Sequence, residues 1–179
     1  MQYTNSYQSP IGDILVASDG KSLTGLWFMG QKYFADTLSP EHEVKDLPVF
    51  KETKHWLDLY FQGKIPDFTP PLALNGTPFR LAVWEILLKI PYGETMTYGE
   101  IADRVADKQG LKTMSGQAVG GAVGHNPISV IVPCHRVVGS NGSLTGYAGG
   151  IDKKIHPVSY THLDVYKRQL MYNFIFYMA

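Results

Sequence analysis

The sequence predicts an α+β protein in two units, a sheet-bearing N-terminal unit followed by a helical unit with a helix-turn-helix arrangement. Three observations lead there. Short apolar runs punctuated by turn residues fill positions 12–30, four prolines fall within residues 64–78, and two capped helix starts precede a third, glycine-rich helical stretch over 77–127. The expected units are residues 1–75, an α/β unit ending in the proline-rich linker, and residues 76–154. Residues 155–179 form an atypical tail.

In "GDILVASDGKSLTGLWFMG", apolar runs alternate with the turn signals Ser18-Asp19-Gly20 and Met29-Gly30, which predicts a β-hairpin or meander. "PVFKETKHWLDLYFQGK" places Val49, Phe50, Trp56, Leu57, Tyr60 and Phe61 at helical intervals and stops at Gly63. "KIPDFTPPLALNGTP" reads as a linker, so a boundary is expected near residue 75. After it, "TPFRLAVWEILLKI" has Thr77 as N-cap and Pro78 at the first helical position, with Phe79, Val83, Leu87 and Ile90 on one face.

The chain breaks at Pro91-Tyr92-Gly93 and restarts at Thr97, with Glu100 three residues on, a capping box. "DKQGLKTM" then leads into the helix of "SGQAVGGAVGHNP", which completes a helix-turn-helix pattern. That pattern alone does not separate a DNA binder from an ordinary helical pair. Gly116, Gly120 and Gly124, with Ala118, Gly121 and Ala122, cost helix propensity and are kept for close approach, either of another helix or of a DNA backbone. "ISVIV" (128–132) is a β-branched run ended by Pro133 and predicts a strand.

Composition narrows the classes. At 179 residues, 44% hydrophobic and 18% charged, the chain can bury a core. The formal net charge is zero, but residues 1–79 carry six lysines against nine acids, whereas residues 80–154 carry eight bases against six acids. The second unit is mildly basic, which permits nucleic-acid contact without demanding it. One cysteine cannot form an internal disulfide or a cysteine-based zinc site, and "MQYTNSYQSPIGD" does not resemble a secretion signal, so a cytoplasmic location is expected. "LMYNFIFYMA" is about half a membrane span. There is no Walker-type or G-x-G-x-x-G loop, and His42, His55, His125, His156 and His162 have no ligand spacing, so neither a nucleotide cradle nor a metal is expected.

"IVPCHRVVGSNG" holds the one cysteine, Cys134, at the expected strand end beside the glycine-spaced stretch "GSNGSLTGYAGG". A free thiol is only about a few per cent thiolate at neutral pH, so attack requires a base. His135 is the neighbour, but adjacent side chains on an extended segment point to opposite faces. A turn over Pro133–His135 would bring the two together. The other reading is a buried structural cysteine.

"FRLAVWEILLKI" (79–90), "IPYGETMTYGEIA" (90–102) and "QAVGGAVGHNPISVIVPCHRVVGSNGSLTGYAGGIDKK" (117–154) closely resemble the methylated-DNA–protein-cysteine methyltransferases, the O6-alkylguanine-DNA alkyltransferases. The resemblance is strong over residues 77–154 and loose before them. It implies an N-terminal ribonuclease-H-like unit and a winged-helix-like domain that enters the minor groove of double-stranded DNA. That domain flips an O6-alkylguanine and moves the alkyl group irreversibly to cysteine, once per molecule, with no cofactor and as a monomer. Carried over by position, Cys134 is the acceptor and His135 the base acting through a water. Asn126 supports the active-site hydrogen bonds from an Asn-Pro turn, and Tyr98 helps protonate the leaving guanine. Gly146, Tyr147 and Ala148 match the pocket wall. Gln117, Ala118 and Gly121 match the DNA-contacting helix, and Arg136 belongs either with them or to the structure of the loop.

Two departures follow from the same resemblance. Many members carry an intercalating arginine where this chain has Gln117, which fills the gap and hydrogen-bonds but lacks the charge. After "GGIDKK" the family continues into a helix whose glutamate supports the histidine. Here no glutamate follows Glu100, and the side-chain carboxylates beyond Cys134 are Asp152 and Asp164. The tail "IHPVSYTHLDVYKRQLMYNFIFYMA" resembles a spurious translated extension. An alternative is thus a binder of alkylated DNA with crippled transfer, since losing the orienting group of a nucleophile–base relay costs on the order of 10²–10⁴-fold. A cysteine hydrolase lacks a second constellation with suitable spacing.

Overall fold

The computed structural model describes residues 1–144. In chain order they form β1 (Gln2–Ser9), β2 (Gly12–Ser18), β3 (Leu23–Phe28), β4 (His42–Val44), α1 (Pro48–Phe61), α2 (Pro78–Leu87), β5 (Met96–Thr97), α3 (Tyr98–Gln109), α4 (Gly116–Gly124), a 3-10 turn over Cys134–Arg136, and β6 (Val137–Val138).

The meander expected over 12–30 is present and is extended on its N-terminal side by β1. The sheet order is β3-β2-β1-β4, antiparallel throughout except that β4 runs parallel to β1. Asp19 makes the β2–β3 turn by accepting from the backbone N–H groups of Lys21 and Ser22 through Oδ1, and Gly20 takes the left-handed φ of 105° that the turn needs. In β3 every residue except Thr24 is buried, and the Trp27 ring lies flat over Gly25, where any Cβ would clash. α1 covers the sheet with Val49, Phe50, Trp56, Leu57, Tyr60 and Phe61.

The proline-rich segment does not hang free as a linker. It lies along the open edge of β3: Leu23 donates to Pro71 O at 2.7 Å and Ala73 donates to Leu23 O at 2.9 Å. Edge groups that a short sheet would leave bare are satisfied this way. Further along the same edge, Leu26 donates to Pro127 O and Ser129 donates to Leu26 O. The loop after α4 is therefore sewn to the first sheet.

The three helices follow the expected signals. Thr77 accepts from Arg80 N at the start of α2. At α3 both halves of the capping box form, Thr97 Oγ1 accepting from Glu100 N and Glu100 Oε2 accepting from Thr97 N. Gly110 ends α3 at a φ of 66°. α4 packs Val119, Ala122 and Val123 inward, and Trp84 of α2 donates its indole N–H to Ala122 O.

The expected strand over 128–132 is absent. Only Ile128 pairs, with Leu26, after which the chain turns back on itself with Val130 at a φ of 70°. The β-branched run is buried because it is wrapped inside a turn held by Asn126, not because it is extended.

Candidate active site

The site is built on that turn. Asn126 follows α4, is buried, and binds the next eight residues to itself. Its Oδ1 accepts from Ile128 N at 3.0 Å, and its Nδ2 donates to Val132 O at 2.9 Å, Ile128 O at 3.2 Å and Cys134 Sγ at 3.1 Å. Two amide hydrogens serve three acceptors, so they are shared, and one is offered to the sulfur. A donor aimed at sulfur favours the thiolate over the thiol.

Cys134 opens the 3-10 turn, its N–H donating to Val132 O at 2.8 Å, and it is almost fully buried. In a turn of three residues per revolution, neighbours are about 120° apart instead of the 180° of a strand. Cys134 and His135 therefore stand in a turn and not on the extended strand end that would point them to opposite faces. His135 is completely buried, and its Nε2 shares a 3.0 Å hydrogen bond with the hydroxyl of Tyr60 on α1.

Tyr98, the first residue of α3, lies against Gly116 and Gly120 of α4. Burial, with the neighbouring Cys134 as a second cause, pushes its phenol up to about 12. It is thus protonated at neutral pH and able to donate. Arg136 points inward: it donates to Ile90 O at 2.8 Å, and its guanidinium sits 5.3 Å from the centre of the Tyr92 ring. Burial lowers its affinity for a proton, and the Tyr60 and Tyr92 phenols oppose that. Of its two readings, this placement is that of a group that holds the loop.

Gln117, Ala118 and Gly121 fall together on the exposed face of α4, away from Val119, Ala122 and Val123. A Cβ built on Gly121 would meet nothing within 4 Å, and the same holds for Gly124. Gly116 and Gly120 face Tyr98 at ordinary contact distances. Gly116 and Gly120 thus serve helix packing, while Gly121 and Gly124 face open space. Gly146, Tyr147 and Ala148 lie outside the described residues.

Sequence reasoning missed Tyr60, which it took for one more apolar position of α1, and the joining of the loop to β3. The 75-residue separation between Tyr60 and His135 leaves no local signal. No helix among the described residues is long and apolar enough to cross a membrane.

A helix-turn-helix with an open small-residue face, joined to a turn that offers a donor to one sulfur, defines a class: a sheet-bearing unit and a helix-turn-helix unit that together hold a chemically supported thiol. Family models agree. Residues 2–74 match the ribonuclease-like domain of 6-O-methylguanine DNA methyltransferase, and residues 78–158 match its DNA-binding domain. The chain is 42% identical over 154 residues to a methylated-DNA–protein-cysteine methyltransferase of Haemophilus influenzae, covering 85% of this chain and 82% of that protein. It is 44% identical over 154 residues to the protein of that name from Mycobacterium tuberculosis, covering 86% and 88%. The crystal structure of Mycobacterium tuberculosis OGT in complex with DNA superposes with a TM-score of 0.77 at 42% identity, covering 88% of this chain and 91% of that one. The chain belongs to the 6-O-methylguanine DNA methyltransferase family.

Proposed function

We propose that this protein repairs double-stranded DNA by taking the alkyl group of O6-methylguanine onto Cys134 in one irreversible turnover. The thiol proton passes to His135 through a water, and Asn126 Nδ2 holds the sulfur anion. The sulfur attacks the methyl carbon: the S–C bond forms, the C–O6 bond breaks, and its electron pair returns to the guanine, which takes up a proton. Tyr98, kept protonated by burial, hydrogen-bonds to the departing base as it takes up its proton, and the thiol proton held by His135 balances the one the guanine gains. The thioether left on Cys134 has no good leaving group and meets no second nucleophile, so the reaction ends there. No cofactor enters, and one copy of the chain suffices.

The exposed face of α4, with Gln117, Ala118 and Gly121, approaches the minor groove, where small residues let the backbone come close while the base is flipped out. Arg136 stabilises the loop beneath it. Gly146, Tyr147 and Ala148 form the pocket wall, a role that rests on the resemblance. The reaction needs a reduced thiol, which accords with a cytoplasmic setting.

The observation that carries this reading is the 3.1 Å bond from Asn126 Nδ2 to Cys134 Sγ, by which the group that holds the turn also offers a donor to the sulfur. The test is intact-protein mass spectrometry after incubation with a duplex carrying O6-methylguanine. A single added methyl, lost in Cys134→Ser, is expected. The absence of a glutamate after Glu100 favours a second reading, a damage binder that does not complete transfer. A native chain that binds the duplex but gains no mass would select it.

A further inference from the structure

We infer that Tyr60 is a positioning residue for the transfer, its hydroxyl accepting the Nε2 proton of His135 so that the first unit's helix holds the base of the second unit's cysteine. The inference rests on the proposed role of His135 as the base and adds a residue to that machinery.

Two observations and one rule of imidazole chemistry support it. The Tyr60 hydroxyl lies 3.0 Å from Nε2, and both side chains are completely buried, so the bond is not traded with solvent. Tyr60 is itself locked: its ring stacks on Trp56 at 5.2 Å between centroids and meets Phe61, Tyr92 and His135 edge-on at 5.5, 6.2 and 6.1 Å. A phenol in such a cage cannot follow a wandering imidazole, so the imidazole is held to it. Lastly, the hydrogen bond made by one imidazole nitrogen decides what the other does. With Nε2 engaged by Tyr60, proton exchange with the thiol runs through Nδ1.

Among the described residues, the ionisable groups at or next to this pair are Cys134 and Arg136 on the turn of His135, Tyr60 on α1, and Tyr92, which meets Tyr60 and Arg136 from the turn before β5. When His135 takes the thiol proton, its ring becomes a cation bearing two N–H groups. The Tyr60 oxygen accepts one of them. Arg136, a nearby positive charge, opposes the same step, which makes a neutral acceptor at Nε2 the more useful.

The test uses the full chain as native protein, Tyr60→Phe and Val49→Ala, the last a buried substitution elsewhere on α1 that leaves the hydroxyl in place. Two readouts are taken: the titration midpoint of His135 from its ring nitrogen NMR signals, and the single-turnover rate with an O6-methylguanine duplex. Losing one hydrogen bond is expected to lower the midpoint in Tyr60→Phe by roughly 0.4 to 1 pH unit and to slow transfer about 3- to 10-fold. Val49→Ala should lower thermal stability and leave both readouts at native values.

A midpoint that stays or rises in Tyr60→Phe overturns the inference, a rise meaning that the phenol donates to the neutral ring. Equal effects from Val49→Ala overturn it as well, since general loosening would then account for them. If the native chain takes no methyl at all, the proposed function fails while the midpoint still decides the role of Tyr60.

Discussion

Gly121→Ala separates folding from function at one atom. Gly121 lies in the middle of α4, on the exposed face with Gln117 and Ala118, and a Cβ there would meet nothing within 4 Å. Folding therefore gains by the change: alanine exceeds glycine in a helix interior by about 0.5–1 kcal/mol. For a chain of this size that raises the melting temperature by roughly 1–4 °C. If the face meets a DNA backbone, the added methyl intrudes on a close contact, and overpacking of that kind costs about 1–3 kcal/mol. Affinity for an O6-methylguanine duplex should then fall roughly 5- to 100-fold. Thermal melting and fluorescence anisotropy on the same preparations measure both. A variant that is more stable and binds DNA as well as the native chain would refute the assignment of this face.

Asn126→Ala leaves the buried Ile128 N without its partner, takes one of two donors from Val132 O, and should cost about 1–3 kcal/mol in denaturant unfolding, together with a lower rate of Cys134 alkylation by iodoacetamide. Thr97→Ala removes the side-chain half of the capping box and should cost about 1 kcal/mol at neutral pH. The backbone N–H of Thr97 and, after it, the Thr97 hydroxyl hold the Glu100 carboxylate below its ordinary value; the variant keeps the N–H and loses the hydroxyl's share, which is complete above about pH 4.3 and is lost on further acidification. The gap between Thr97→Ala and native melting curves should narrow there. Tyr98 keeps its proton to about 12, whereas an unfolded tyrosine releases it near pH ~10. Between these values the unfolded chain binds fewer protons, so stability falls as pH rises, and Tyr98→Phe should flatten that alkaline limb.

What could be read from the sequence was what local chemistry decides. Thr77, Thr97 with Glu100, Pro78 and Gly63 act within one helical turn of themselves, and their helices start or stop where they stand. The strand expected over 128–132 failed for the opposite reason. A β-branched run reads as extended, but the Asn126 side chain closes a turn over it and Val130 adopts a left-handed φ that its type disfavours. β4 was silent because all three of its residues are exposed and it has no alternation to detect. The proline-rich segment looked like a linker because its role depends on bonds to Leu23, some fifty residues earlier.

The cysteine motif lies wholly in the second unit, yet the first unit shapes it. Leu26 of β3 holds both Pro127 and Ser129 by backbone bonds, Gln31 accepts from the Ser129 hydroxyl, and Tyr60 reaches His135. Gln31 is in turn fixed by Phe28 N, so the support runs back into the sheet. A loop containing a left-handed valine would not keep its shape on one asparagine, because strain of that kind persists only where the surroundings over-determine it. The N-terminal sheet is therefore part of what presents Cys134 to DNA. Substitutions along β3 that never approach DNA should act on the chemistry as well as on stability.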